Sequence, residues 1–300
     1  MPDLRRGVWY GIAAYALWGL FPLYWPLLKP SGAIEILAHR MLWSLAVVVV
    51  ILAVTRNWSW IRQISKRQLL LLAGAGVLVS TNWGVYIYAV NTGHVVESAL
   101  GYFINPLVSI LFGVIILGER LRRWQWVAVG LGAAAVVILT LGYGKLPWIA
   151  LTLAFSFGLY GLVKKKAQVG AAESLTIETL VMLIPAGIYL TTLGSANTFG
   201  NHGTGHAVLL ISSGVVTAIP LLFFAASVIT VPLTIVGLLQ YIAPVLQFLV
   251  GVLIIKETMP AERWLGFGVV WLALAVFTWD SIRHGLAKKP VPEKELAPVG

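Results

Sequence analysis

The chain has no cysteine, and charged residues fill only 11% of its 300 positions. The first absence excludes disulfides, thiolate metal sites and cysteine nucleophiles. The second excludes an ordinary soluble domain, where about a quarter of residues are charged. Histidine is also scarce, at five residues. His202 and His206 share one connecting segment but have no third ligand near them in sequence, so no metal site is expected. No phosphate loop, dinucleotide fingerprint, nucleophile elbow or metalloprotease histidine spacing occurs. The expectation is a protein without a cofactor and without enzymatic activity.

Apolar sequence is abundant, at 59% of the chain. Positions 7–28, 69–96, 98–118 and 124–144 carry no Asp, Glu, Lys or Arg. Each is long enough to cross a bilayer as a helix, which takes about 20 apolar residues. The uncharged run 179–255 has room for more than one crossing. The period-2 alternation of an outer-membrane barrel is missing. Thirteen Trp and ten Tyr suit the two membrane interfaces, and many of the Trp fall near span ends. Ten spans are predicted, at 7–27, 32–54, 69–91, 96–117, 124–142, 147–163, 173–193, 207–227, 233–255 and 263–281. The amino-terminal apolar run is too long for a signal peptide and lacks a clear cleavage site, so it reads as a retained first span.

The net charge of +10 does not point to nucleic acid, because the basic residues sit in short clusters between apolar runs. With the amino terminus inside, sixteen lie on the inner side: Arg5, Arg6, Arg56, Arg62, Lys66, Arg67, Arg120, Arg122, Arg123, Lys164, Lys165, Lys166, Arg283, Lys288, Lys289 and Lys294. Four lie outside (Lys29, Lys145, Lys256 and Arg263), and Arg40 is within a span. The positive-inside rule then puts both termini in the cytoplasm, with 56–68 inside and 195–206 outside.

A repeat organises these spans. Shifted by 138 positions, 101–106 falls on 239–244, so that Pro106 meets Pro244, Gly113 meets Gly251, Glu119 meets Glu257 and Trp126 meets Trp264. Five spans per half is an odd number, so the second half must insert upside down. The predicted fold is an all-α membrane protein of ten transmembrane helices in two inverted five-helix repeats. Residues 1–142 form the first repeat, 143–286 the second, and 287–300 a disordered cytoplasmic tail.

Few polar residues lie within the spans. Glu35 and His39 are four apart in span 2 and share a face. Arg40 follows, about 13 Å deep at roughly 1.5 Å per residue. An arginine there costs about 2.5–3.5 kcal/mol on insertion scales, so it must face a cavity or pair with an acid. It is read as an anchor for a substrate anion, with an ion pair to Glu35 or Glu97 as the alternative. Asn82 and Tyr86 in span 3, and Ser98, Tyr102, Asn105 and Ser109 in span 4, form polar stripes that must meet another helix or water. Arg40, Tyr86, Tyr102 and Asn105 are expected to converge in one pocket between the halves. Pro106 and Pro244 are candidate hinges within spans 4 and 9. Glu178, 138 positions beyond Arg40, is a candidate proton-coupling group together with Glu35. Gly130, Gly132, Gly266 and Gly268 read as close-packing faces. Glu119 and Glu257 read as surface charges.

Two apolar-Gly-apolar runs ending in Glu119 and Glu257, with the segments 11–21, 35–43, 82–88, 100–106 and 238–244, resemble EamA-type drug/metabolite transporters. Within these the chain is similar to the RarD branch, usually described as chloramphenicol-sensitivity or permease proteins. The resemblance covers nearly the whole chain apart from the tail. It implies a ten-helix secondary transporter with a central cavity. The expected location is the inner (cytoplasmic) membrane, multi-pass, and the expected substrate-contacting residues are Arg40, His39, Glu35, Trp18, Asn82, Tyr86, Tyr102, Asn105 and Tyr241. The function expected is a secondary transporter or exporter of small amphipathic metabolites or drugs, working by alternating access. Its partners would be a small-molecule substrate, membrane lipid and a candidate second copy of the chain, and not nucleic acid. An intramembrane enzyme using Glu35 and His39, or a channel, are the competing classes.

Overall fold

A computed structural model of the protein describes residues 2–287 except 57, 119, 232–234 and 236–238. Its helices include α1 (Pro2–Tyr24), α2 (Ala33–Thr55), α3 (Lys66–Asn91), α4 (Val95–Leu117), α5 (Arg123–Tyr143), α6 (Trp148–Ala167), α7 (Ala171–Thr192), α8 (Gly203–Thr230), α9 (Ile242–Leu249) and α10 (Ala261–Ala287). No strand occurs among the described residues. An apolar chain has to satisfy its backbone internally, and the helix does so within each segment. Eight helices are long and apolar enough to cross a membrane. Two more apolar segments, Trp148–Lys164 and Ile242–Ile254, are shorter. The protein is therefore an all-helical, multi-pass membrane chain.

Helix ends follow local chemistry. Ser65 and Gln68 form a reciprocal capping box at the start of α3. Gly118 ends α4 at φ 68°, a left-handed conformation that glycine adopts without a Cβ penalty, and its N–H bonds back to Gly113 and Val114. The ninth predicted span differs most from expectation. Gln240 and Tyr241 form a turn, α9 starts at Ile242, and a π-helical turn (Val250–Ile254) continues it. Pro106 lies inside α4 as expected. Pro244 is instead the third residue of α9, where its missing N–H breaks no intrahelical bond. Part of the predicted span 233–255, the residue Glu119 and positions 288–300 of the predicted tail lie outside the described residues.

Helices from the two halves of the chain interleave. α1 packs on α8 and α9, α2 on α7 and α8, α3 on α6 and α7, α4 on α6 and α9, and α5 on α10. One apolar core joins α4, α5, α9 and α10 through Phe103, Leu107, Leu139, Phe248 and Phe267. A second joins the ends of α1, α2, α3, α6 and α8 through Phe21, Trp25, Ile36, Tyr86, Ile149 and Leu210. Gly132 and Gly266 serve close packing, since a Cβ on either would strike Leu107 or Leu139. Gly130 and Gly268, expected to do the same, face open space. Leu70, Ile115, Leu141 and Ile184 point outward, as a lipid-facing surface requires.

Candidate functional site

Arg40 sits on the second turn of α2 and is 2% exposed. Its Nε donates to Thr217 Oγ1 at 2.8 Å. Thr217 spends its own proton on the Ser213 carbonyl, so an oxygen lone pair faces the arginine. α2 and α8 come this close because residue 214 is glycine, where a Cβ would collide with the Trp43 backbone. The guanidinium carbon lies 3.7 Å from the Trp83 ring centroid, 5.0 Å from Trp25 and 5.8 Å from Phe21. Aromatic faces partly replace water around the cation.

Among the described residues, no carboxylate pairs with Arg40. Arg122–Asp280 and Lys164–Glu178 form ion pairs elsewhere in the bundle. The alternative ion pair of Arg40 with Glu35 or Glu97 is therefore not made: Glu35 accepts from Thr198, and Glu97 accepts from the Ile149 N–H at 3.1 Å. Arg40 Nη1, the Tyr86 hydroxyl and Trp25 Nε1 are buried without a partner among the described residues. A buried charge without a counter-charge is costly and uncommon.

The polar faces of α3 and α4 meet beside this cage. Tyr86 and Tyr102 pack edge to face at 5.7 Å. Tyr102 donates to Asn82 Oδ1 at 2.9 Å, and Asn82 Nδ2 donates to the Leu153 carbonyl and to Ser156 Oγ. Asn82 thereby ties α3, α4 and α6 together. Asn105 accepts from Ser109 one turn later. Trp18 lies in an adjoining aromatic group with Tyr15 and Phe224. Tyr241 hydrogen-bonds the Thr278 side chain and packs on the α4–α10 core rather than in the arginine cage. A small pocket of about 120 Å³ lies between α2, α3 and α7; of its lining residues, Leu37, Ala38, Met41 and Pro185 are apolar and Ser80 is polar.

Two further clusters are buried. At the start of α2, Glu35 Oε1 accepts from Thr198 N at 2.7 Å and Thr198 Oγ1 at 2.8 Å. Ser31 Oγ contacts Thr198 Oγ1 at 2.5 Å and His206 Nε2 at 2.9 Å. His39, 3% exposed, stacks on Phe199 at 5.0 Å, and neither ring nitrogen has a partner among the described residues. In the second cluster, Glu178 accepts from Lys164 at 2.8 Å, Ser174 at 2.6 Å and Tyr160 at 3.1 Å. A Cβ on Gly76 would lie 3.0 Å from the Glu178 carbonyl oxygen, so α3 and α7 pack closely there.

Glu257 is more than the surface charge read from sequence. Following α9, it accepts from the N–H groups of Val95 at 2.5 Å and Val96 at 3.1 Å, capping α4. Burial pushes its carboxyl above the usual glutamate range, outweighing the two backbone bonds. Sequence reasoning also missed Thr217, Trp25, Phe21, Thr198 and Lys164, and places Trp83 only among the side chains of span 3 beside Asn82 and Tyr86. Trp25 reads only as an interface marker, and Thr217 lies 177 positions from the arginine it serves.

Comparison with known proteins agrees with this architecture. Residues 5–141, which carry Arg40, Tyr86 and Tyr102, match the EamA-like transporter family. Protein RarD of Streptomyces exfoliatus is 59% identical over 94% of this chain and 90% of its own. The chain belongs to the RarD group of the EamA-like transporter family. The uncharacterized transporter YojE of Bacillus subtilis is 43% identical over 96% of this chain and 98% of its own. A solved crystal structure superposes with a TM-score of 0.62 over 93% of this chain and 98% of that one; at 19% identity it speaks to fold alone. In this RarD-group transporter, the deepest charge of α2 lies at the meeting of α1, α2, α3 and α8.

Proposed function

We propose that the protein is a secondary transporter that moves small amphipathic molecules by alternating access, with Arg40 holding an anionic group of the substrate. The observation that carries this reading is the buried guanidinium with a free Nη1, set among aromatic faces and lacking any carboxylate. An arginine stays charged at physiological pH, so it serves as a fixed counter-charge. Tyr86, Tyr102, Asn82, Asn105, His39 and Trp18 line or support the substrate path, and Tyr241 joins it when the helices shift. Glu35 and Glu178, both buried carboxylates within hydrogen-bond networks, are the groups that respond to protons. Pro106 acts as a hinge of α4. With no nucleotide motif, the energy comes from a gradient or from exchange.

The inverted repeat, with halves 1–142 and 143–286, is part of the same reading, and the packing supports it. Exchanging the first half for the second maps α3–α6 onto α8–α1, α4–α6 onto α9–α1, and α2–α8 onto α7–α3, each an observed neighbour pair. The tight glycines agree: Gly76 faces α7 and Gly214, 138 positions on, faces α2. Gly158 faces Val108 while Gly19 faces Leu246, and Val108 and Leu246 are also 138 apart. The fit to an inner-membrane protein with cytoplasmic termini rests on the distribution of basic residues.

Substrate-resolved flux in proteoliposomes, with and without a pH gradient, tests the proposal. Arg40→Lys keeps the charge but loses the planar fork, so flux should weaken while the protein still inserts. Substrate affinity unchanged by that replacement and by Arg40→Ala would remove the anchor.

A further inference from the structure

We infer that the transported molecule is an organic carboxylate without an ammonium group, rather than a zwitterionic amino acid or an amine. The inference rests on Arg40 as the substrate anchor and names what that anchor selects. The unpartnered groups around it are hydrogen-bond donors: Arg40 Nη1 and Trp25 Nε1 donate only, and the free Tyr86 hydroxyl has its proton to give. A donor-rich cage around a fixed cation matches a two-oxygen anion, which can accept from several directions at once.

A zwitterion would bring a second, positive charge into the same dry space. The groups that hold an ammonium ion most strongly are of two kinds, and neither stands free beside the guanidinium. The first is a carboxylate. Glu35 is bonded by Thr198, Glu97 by the Ile149 N–H, Glu178 by Lys164, and Asp280 by Arg122. The second is an aromatic face, the usual receptor for an ammonium ion. The Trp83 face is covered by the guanidinium at 3.7 Å, and Trp25 and Phe21 flank the same cation. An ammonium group placed here would therefore meet a positive charge rather than a negative one. Desolvating it without a partner would cost more than the site returns.

The test uses the full-length protein in detergent, with ligand-induced thermal stabilisation as the readout, since a ligand that binds only the folded state raises its stability. The probes share a phenylethyl unit and differ in the charged groups it carries: 3-phenylpropanoate, phenylalanine and phenethylamine. Hexanoate is added so that an aromatic body is not assumed. Both carboxylates should bind at least about tenfold more tightly than phenylalanine, and phenethylamine should give no shift. The carboxylate shift should vanish in Arg40→Met and weaken in Tyr86→Phe, which keeps the ring and removes one donor. If phenylalanine matches 3-phenylpropanoate and both need Arg40, the anchor survives and the substrate class is wrong. If neither carboxylate gives a shift that depends on Arg40, the inference falls together with the anchor.

Discussion

Arg40→Met separates a functional arginine from a structural one. Placing an arginine at this depth costs about 2.5–3.5 kcal/mol, which a methionine of similar reach recovers. The two closest of its favourable contacts carry most of what is lost in exchange, Trp25 and Phe21 being more distant flanks of the cation. Stacking on Trp83 at 3.7 Å in a desolvated site is worth about 2 kcal/mol. The bond from Nε to Thr217 at 2.8 Å, with a charged donor, is worth about 1.5 kcal/mol. These terms nearly cancel, leaving a net change below about 1 kcal/mol. Removing one member of a buried ion pair behaves differently and costs about 3–5 kcal/mol. The variant should thus unfold in detergent within a few degrees of the parent while losing transport in proteoliposomes. A loss of stability above about 3 kcal/mol would show Arg40 to be a structural partner and would refute the reasoning. Full transport activity would refute it equally.

Three other sites give expected outcomes. Glu178→Gln should destabilise the protein by about 3 kcal/mol, at the low end for a buried pair because Lys164 keeps access to water, and Lys164→Met in the same chain should recover most of that loss in thermal unfolding. The Glu178→Gln protein should also lose the pH dependence of substrate exchange; exchange with its pH profile intact would exclude this carboxylate as the proton sensor. A cysteine placed at Asn201 in this cysteine-free chain should react with an impermeant reagent from outside whole cells, and labelling only by a permeant reagent would reverse the topology. Glu257, whose carboxyl is raised, binds its proton more tightly in the folded than in the unfolded state, so its contribution to stability grows as pH falls through the raised value toward that of a free glutamate. Unfolding curves of the parent and Glu257→Gln should therefore diverge on mild acidification in favour of the parent, and parallel curves would remove the assignment.

The helices and their approximate limits were legible because an apolar run between basic clusters has few alternatives. Ala33–Thr55 and Val95–Leu117 fall within a residue of the predicted spans 32–54 and 96–117. The turn at Gln240–Tyr241 was not, since no glycine or proline marks those two residues and the apolar run continues across them. The depth of Arg40 could be counted along one helix. Its companions could not: Trp25, Trp83 and Thr217 come from three separate segments, and only packing decides which Trp leaves the interface for the interior. Glu257 was misread for a similar reason. Its neighbour Lys256 suggested a solvated charge, whereas its partners are backbone amides 161 and 162 positions away, which carry no side-chain signature. Lys164 looked like one of three equivalent loop lysines until Glu178 was found beside it.

The connection between α7 and α8 has a practical use. Thr198 and His206 are both buried and both touch Ser31, so the chain between them leaves and returns at nearly one point. Residues 199–205, exposed throughout, run from a turn at 199–202 into the first turn of α8, and both ends of the stretch are already pinned. Lengthening a pinned loop is inexpensive, about 0.6 kcal/mol for each doubling. An epitope, a fluorescent module or a protease site spliced in at Asn201 would hang from a closed neck, and the cut or bulky insert would leave the grip of Glu35 on Thr198 intact. The same insert three residues earlier would pull Thr198 out of that grip and unseat the loop from α2.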